Sequence, residues 1–290
     1  MIVAFATMLA MIAGLPRIAF AQVGARNFYD PLITQDANPS NEITNSPGWA
    51  KTGATGTQVS YSFSIEKEIT ENVDFLFGEA INDTARRNST ASAGLDDQQV
   101  LIKWAYYMNV EHELRLALAL DLFVPKGDFS QGAVPYWRGG PMLLMSKGAG
   151  DIPNIGWLRY LRPFALQVDA TYRFRWNGPQ FQEAVFNSAV SYQLDYLANS
   201  GVHFPGESFL RPIDFFNEFN YSAEVAGNKK GQLPDWRATP GIAYQTQYFE
   251  IDVGTQIALS TAAKKSFQSE GLFELDIYYD QFFPQLGPMF

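Results

Sequence analysis

The sequence contains no cysteine, so the chain can form no disulfide bond, no thiolate metal site and no thiol nucleophile. Histidine is nearly absent, with two residues, and charged residues make up only 18% of the chain. Bases are the scarcer sign, with 21 Lys and Arg against 30 Asp and Glu. The resulting net charge of −9 argues against a nucleic-acid partner, whose phosphates require basic side chains. We expect no nucleic acid and no cofactor among the partners.

Long hydrophobic runs are missing after the first twenty residues, so no transmembrane helix is predicted there. Ile2 to Leu15 are almost wholly apolar, and Ala19-Phe20-Ala21 forms a small-residue cleavage site before Gln22. We therefore expect residues 1–21 to be a Sec-type signal peptide that is removed on export. A short uncleaved anchor is the alternative, because the beginning of the segment lacks the usual positive charge.

Aromatic residues are abundant, at 15% of the chain, and they occur in segments that alternate apolar and polar residues. Near the C-terminus, Phe273 and Leu275 alternate with Glu274 and Asp276. A period of two places apolar and acidic side chains on opposite faces of a strand. Roughly eleven segments share this pattern, which a lipid-facing wall around a polar lumen explains better than the edge strands of a soluble sandwich.

The sequence thus predicts an all-β fold, a single transmembrane antiparallel up-and-down β-barrel of about 12 strands. Bacterial barrels have even strand numbers, so we expect one further strand around Trp49 to Gly56. Residues 22–56 are then an N-terminal lead-in with a candidate first strand, and residues 57–290 are the outer-membrane barrel. The closing strand is expected to end near Phe283, because the prolines that follow cannot donate hydrogen bonds to a ladder.

Short motifs recur along almost the whole predicted mature chain. They are Asp30-Pro31-Leu32-Ile33-Thr34, Glu68-Ile69-Thr70-Glu71-Asn72, Gly150-Asp151-Ile152-Pro153, Tyr160-Leu161-Arg162-Pro163-Phe164-Ala165, Thr239-Pro240-Gly241-Ile242, and the tail from Tyr279 to Phe290. With these motifs the chain resembles a family of Gram-negative outer-membrane proteins grouped with the MetA-pathway-of-phenol-degradation-like barrels. The resemblance implies the barrel architecture and a channel or transport role, in some members linked to aromatic compounds. It implies no catalytic residues.

The polar faces of the predicted strands define the main candidate site, the lumen of the barrel. The acids there outnumber the bases, and an acidic wall raises the local concentration of cations and repels anions. The alternative is a closed lumen in which the charges pair with one another. The candidate pathway residues are Lys103, Arg115, Asp169, Arg173, Glu218, Glu250, Asp252, Glu274 and Asp276, with Asp121, Asp195 and Glu224 on the same predicted faces.

An enzyme is a weaker hypothesis for this chain. His112 lies in a predicted tight turn and His203 in a Pro/Gly-rich connection, both at the predicted periplasmic end. Neither has a nucleophile at a recognised spacing, and there is no G-x-S-x-G motif. We expect no enzymatic activity, with an outer-membrane lipid hydrolase as the remaining enzyme alternative. No His, Asp and Glu cluster has metal-ligand spacing, so we also predict no metal site.

The sequence predicts a porin-like outer-membrane channel of a Gram-negative bacterium that takes up small solutes passively, hydrophobic or aromatic ones among them. Its expected partners are outer-membrane lipid, a small-molecule solute and the barrel-assembly machinery, which would read the C-terminal Phe290. A structural or surface-binding barrel with a closed, charge-paired lumen is the alternative.

Overall fold

The computed structural model describes residues 22–23, 26–52, 56–86, 92–126, 135–227, 233–266 and 268–288. The predicted signal peptide and Phe290 lie outside the described residues. Twelve antiparallel strands form the barrel. They are β1 (Glu42–Thr52), β2 (Gly56–Thr70), β3 (Val73–Arg86), β4 (Gln98–Asn109), β5 (Leu114–Val124), β6 (Arg138–Gly148), β7 (Phe164–Arg175), β8 (Gln182–Gln193), β9 (Ile213–Ala226), β10 (Asp235–Gln245), β11 (Phe249–Ala258) and β12 (Ser269–Tyr278).

The sheet closes because β1 pairs with β2 on one side and with β12 on the other. Every other strand pairs with its neighbours in the chain, which gives an up-and-down order. The predicted all-β barrel of about 12 strands is therefore confirmed. We call the end that holds the start of β1 and the end of β12 the proximal end, and the opposite end the distal end.

Short elements decorate both ends of the barrel. At the distal end, the strand Ser92–Leu95 pairs with β3, and helix α3 (Thr261–Ser266) precedes β12. No helix among the described residues is long and apolar enough to cross a bilayer. The proximal end carries the 3-10 helices Gly156–Tyr160 and Pro284–Leu286, with α1 (Leu194–Asn199), α2 (Glu207–Leu210) and α4 (Tyr279–Phe282).

Alternation of side chains explains why β5 is a strand although leucine and alanine favour helices. Leu118 and Leu120 are each 40% exposed and face outward, where a membrane barrel meets lipid. Ala117 and Ala119 are buried on the inner face. Strict spacing of two would spread these leucines around a helix, whereas it gathers them on one face of a strand.

Prolines occur inside three barrel strands at places where the ladder is interrupted. The pairing of β1 with β12 skips Ser46 and Pro47, and that of β10 with β11 skips Thr239 and Pro240. Pro141 lies in the corresponding gap between β6 and β7. Proline lacks an N–H donor, so each gap falls where no hydrogen bond can form.

Three strand boundaries differ from the sequence prediction. The additional first strand exists, but it spans Glu42–Thr52 and begins earlier than the predicted strand around Trp49 to Gly56. The closing strand ends at Tyr278 instead of Phe283, because residues 279–282 turn into helix α4. Asp280, which continues the acidic alternation, is buried on that helix, and burial raises the pKa of Asp280. Similarly, β8 ends at Gln193, and Asp195 lies exposed on α1, not on a lumen-facing strand.

Candidate functional site

The lumen is occupied by residues 26–41, which we call the inner segment. Apart from a two-residue strand at Arg26–Asn27, it has no regular secondary structure, and it packs against the inner wall with small and aromatic side chains. Tyr29 stacks on Phe216 with ring centroids 4.9 Å apart, and Ala37 joins a buried cluster with Leu101 and Met142. The apolar core of the molecule therefore lies inside the barrel, between the inner segment and the wall.

Carboxylates of the wall accept hydrogen bonds from the backbone of the inner segment. The clearest case is Glu218, whose Oε2 accepts from the backbone N and the Oγ1 of Thr34 at 2.7 and 2.8 Å. A segment without secondary structure must find such partners, because buried backbone donors are otherwise unsatisfied. Contacts of the same kind join Asp30 N to Glu250 Oε1 (3.0 Å), Gln35 N to Asp169 Oδ2 (2.9 Å) and Ser40 N to Glu66 Oε1 (3.1 Å).

Arg26 fixes the beginning of the inner segment at the proximal end. Its side chain is fully buried, and its guanidinium lies 4.0 Å from the ring centroid of Tyr196. Nε donates to Glu113 Oε2 at 2.9 Å, and Nη1 donates to Gln193 Oε1 at 2.5 Å. The remaining donors reach the backbone carbonyls of Arg162 and Pro163, at 2.6 and 3.2 Å. A buried guanidinium with an acid partner and several acceptors is a well-satisfied anchor.

The surroundings of Glu113 are shaped for this ion pair. Glu113 has a left-handed φ of 46°, which is uncommon for a residue other than glycine. Its Oε1 accepts from the hydroxyl of Tyr196 at 2.6 Å; burial and this hydrogen bond raise the pKa of Tyr196, so the hydroxyl stays protonated and donates. A Cβ at Gly148 would collide with both Glu113 and Arg26, and one at Gly150 would collide with Glu113. Glycine at these two positions gives the pair its room.

Lys103 organises one side of the lumen, where β2, β3 and β4 meet the inner segment. It is 1% exposed, and its Nζ lies 3.0 Å from Glu66 Oε1, 3.1 Å from Asp36 Oδ1 and 3.1 Å from Asp74 Oδ2. Nζ also donates to the carbonyl of Asn38 at 2.6 Å. We call these three acids and their base the Lys103 cluster.

A second group of acids lies where β11, β12 and β1 meet the inner segment. Glu250 faces Asp276 directly across the β11–β12 pair, and Asp252 faces Glu274. Tyr278, the last residue of β12, donates its hydroxyl to Glu250 Oε2 at 2.7 Å. The acidic cluster comprises Asp30, Glu42, Glu250, Asp252, Glu274 and Asp276. All five of its wall members are buried.

The other predicted lumen residues also face inward, on different strands. Arg115 is buried on β5, with its Nη2 3.0 Å from Met108 Sδ. Arg173 is partly buried on β7, and its Nη2 lies 3.0 Å from Asp121 Oδ2. The structure therefore places all nine candidate residues inside the barrel, but most of them contact the inner segment or one another. Their role as a solute pathway stays a prediction.

The described part of the lumen includes a cavity toward each end. One of about 400 Å³ lies at the proximal end, lined by residues such as Asn41, Gln193 and Gln245. The other, of about 330 Å³, lies toward the distal end and is lined by Ser62 and Arg138, among others. The inner segment contributes residues to the lining of both cavities.

Sequence reasoning missed the inner segment and its anchor. Arg26 is the only base in residues 22–50, and a lone base in a polar lead-in is the signal that could have identified it. Glu113 lies in a predicted turn, where an acidic side chain is usually exposed to solvent. The sequence therefore gives no sign of its ion pair with Arg26. The two histidines also lie at the proximal end, where His112 Nδ1 is 2.9 Å from Asp151 and His203 Nδ1 is 2.9 Å from Glu207.

The closed antiparallel barrel, apolar outside and polar inside, defines the chain as a transmembrane β-barrel of the outer-membrane type. Among solved structures, it is similar in fold to an outer-membrane channel from Pseudomonas putida F1, with a TM-score of 0.52 and 8% identity over 86% of this chain and 99% of that one. This likeness concerns the fold alone.

Two further solved structures have lower scores. The NanC porin gives a TM-score of 0.48 at 9% identity, over 81% of this chain and 98% of that one. LpxR from Salmonella typhimurium gives 0.45 at 12% identity, over 82% and 99%. No protein-family model and no curated protein sequence matches the chain. The resemblance to the MetA-pathway-like family therefore stays a prediction.

Proposed function

We propose that the protein is a narrow passive channel for small solutes across the outer membrane. The observation that supports this function is the pair of polar cavities, about 400 and 330 Å³, inside a closed barrel. A barrel that serves only as a scaffold needs no hydrated space on both sides of its inner segment. The proximal end would face the periplasm, since it holds both ends of the barrel chain.

The charge of the lumen favours cations over anions in this proposal. The acidic cluster places six carboxylates along one side of the lumen, and Glu42 and Glu274 belong to the lining of the distal cavity. Fixed negative charge in a low-dielectric channel concentrates cations and repels anions. This lining supports polar or cationic solutes; the uptake of aromatic compounds that the resemblance implies stays a prediction.

Conductance measurements test the channel directly. In planar bilayers with a salt gradient, the reconstituted protein should give small cation-selective currents, and liposomes should swell in small polar solutes. In salt that contains EGTA, so that no divalent cation is bound in the lumen, the double variant Glu274→Gln/Asp276→Asn should shift the reversal potential toward zero, because two lumen charges are removed. Glu207→Gln, on helix α2 at the proximal end, is the matched control and should leave the reversal potential unchanged.

The closed structural barrel is the second candidate, and the packing of the inner segment favours it. Absence of both current and swelling would establish that candidate and reject the channel. A lipid hydrolase is not proposed, since the contacts of both histidines described above are with carboxylates and not with a hydroxyl nucleophile. Export by the segment 1–21 and recognition of Phe290 by the assembly machinery belong to the proposal; both lie outside the described residues.

A further inference from the structure

The acidic cluster lacks any basic partner among the described residues. None of the ion pairs there involves its six carboxylates: Lys103 is engaged by Asp36, Glu66 and Asp74, and Arg26 by Glu113. Like charges directly opposite one another across two strands destabilise the sheet. Two such pairs lie side by side on β11 and β12. Bound protons or a bound cation must therefore neutralise part of the cluster.

Two members of the cluster have oxygens without hydrogen bonds. Asp252 and Asp276 are both 0% exposed; the carboxylate of Asp252 accepts no hydrogen bond from a described residue, and the hydroxyl of Thr44 is the donor beside Asp276. Buried ionised carboxylates are stable when they are paired or coordinate a metal. The oxygens of both residues lie beside the acids of the same cluster, so they offer negative ligands to a cation.

The geometry of three members fits a metal ion. Asp30, Glu274 and Asp276 each offer one carboxylate oxygen, and these atoms lie within 4.8 Å of one another. An oxygen-only ligand set suits a hard cation. Calcium accepts several carboxylates in a flexible shell, whereas magnesium demands near-ideal octahedral geometry and usually keeps several waters. Carboxylates gathered from separate parts of the chain therefore favour calcium.

We propose that Asp30, Glu274 and Asp276 bind a calcium ion inside the barrel, with Asp252 beside them as a further ligand. The ligands come from two parts of the chain that are far apart in sequence. Asp30 belongs to the inner segment, and its backbone N–H is already held by Glu250. The ion thereby joins the inner segment to β12, the strand that closes the barrel on β1. Whether the lumen conducts solutes does not affect this inference.

Metal binding to the purified full-length barrel in detergent tests the site. After removal of metal with EGTA and dialysis against CaCl₂, elemental analysis should find one calcium per chain. Terbium, which replaces calcium, should show luminescence sensitised by Tyr278, whose hydroxyl contacts Glu250 of the cluster. Calcium should compete terbium away at lower concentration than magnesium does, and should raise the thermal unfolding temperature of the barrel.

Two variants test whether calcium binds to the acidic cluster or to other acids of the lumen. Glu274→Gln/Asp276→Asn should lose at least about tenfold in calcium affinity, because affinity follows the number of charged ligands. Asp169→Asn removes a buried carboxylate of β7 and should retain the wild-type stoichiometry. If the double variant does not fold, the comparison of wild-type protein in EGTA and in calcium still decides. No stoichiometric calcium, or equal affinity in the two variants, would overturn the proposal.

Discussion

The Lys103 cluster and the acidic cluster lie on different sides of the lumen, and both contact the inner segment. They differ in that only the Lys103 cluster contains a base. In the Lys103 cluster, one buried ammonium lies within 3.1 Å of three carboxylates, and it also binds a backbone carbonyl of the inner segment. In the acidic cluster, six carboxylates meet without a base among the described residues. The Lys103 cluster has two wall acids and the acidic cluster has five, so the two sides differ in the number of acids as well as in the placement of the base.

This difference shows that charge composition alone does not describe a lumen. Acids exceed bases in the whole chain, and the sequence predicts an acidic wall that faces solute. In the structure, much of that acidity is used internally: by Lys103 on one side, by Arg26 at the proximal end, and by backbone donors of the inner segment. Among the described residues, the negative charge that has no ion-pair partner is concentrated on β11 and β12.

Removal of the base from the Lys103 cluster should break the contrast between the two sides and have the largest effect. In Lys103→Met, three buried acids lose their partner, and loss of one side of a buried ion pair destabilises proteins by about 3–5 kcal/mol. The free energy of unfolding, measured by urea titration of the barrel in lipid vesicles, should fall by that amount. Lys51→Met, an exposed lysine of β1, is the control. Equal midpoints for the two variants would contradict the central role of Lys103.

Neutralisation of one member of the acidic cluster should have a smaller effect of opposite sign. In EGTA, Asp252→Asn should raise the free energy of unfolding by about 1–3 kcal/mol, since it removes an unsatisfied buried charge. The gain should shrink in calcium. Asp121→Asn is the matched comparison: its carboxylate pairs with Arg173, so the same substitution should destabilise the barrel. A stabilising effect of both variants would show that the two carboxylates do not differ.

An exposed acid that has both a lysine and a histidine partner should show the smallest effect. Asp151 accepts a hydrogen bond from Lys147 Nζ at 2.6 Å and lies 2.9 Å from His112 Nδ1. These hydrogen bonds, that of Lys147 first, lower the pKa of Asp151. Its stabilising contribution is then present above the ordinary aspartate pKa and is lost as pH falls through the lowered one.

Carbon-13 NMR of the side-chain carboxyl measures this value directly. The titration midpoint of Asp151 should lie below that of an unperturbed aspartate, and His112→Ala should move it part of the way back. The unfolding midpoint of the barrel should change little between the two proteins, because the pair is exposed to solvent. An ordinary midpoint in the wild-type protein would show that these hydrogen bonds do not persist in solution.

The barrel wall could be predicted from sequence because period-two alternation is a local property. Phe164 to Phe174 alternate as predicted, with Ala165, Gln167 and Asp169 buried in the lumen. Strand β1 was harder to place, since Pro47 argues against a paired strand, and only the gap in its ladder with β12 accommodates it. The alternation of Leu194, Asp195 and Tyr196 was misleading, because these three residues form the first turn of helix α1 and do not continue β8.

The arrangement inside the lumen could not be predicted in the same way. The inner segment has no periodicity, and its contacts join residues more than a hundred positions apart, as between Thr34 and Glu218. The acidic cluster has the same origin: its ligands come from the inner segment and from β12, so no spacing in the sequence reveals them. Two motifs of the family resemblance take part in this arrangement. The motif from Asp30 to Thr34 contacts the barrel wall, and the backbone at Arg162 contacts Arg26.

The tight fit around the proximal anchor has a consequence for the evolution of the chain. A methyl group at Gly148 and the side chain of Arg26 cannot both keep these positions, because that methyl would collide with Arg26 Nε and with Glu113 Oε2. Substitutions at positions 26, 113 and 148 are therefore expected to be coupled in evolution. In descendants that exchange the arginine for a small residue, selection against larger side chains at position 148 is relaxed, so the identities of these distant residues should vary together.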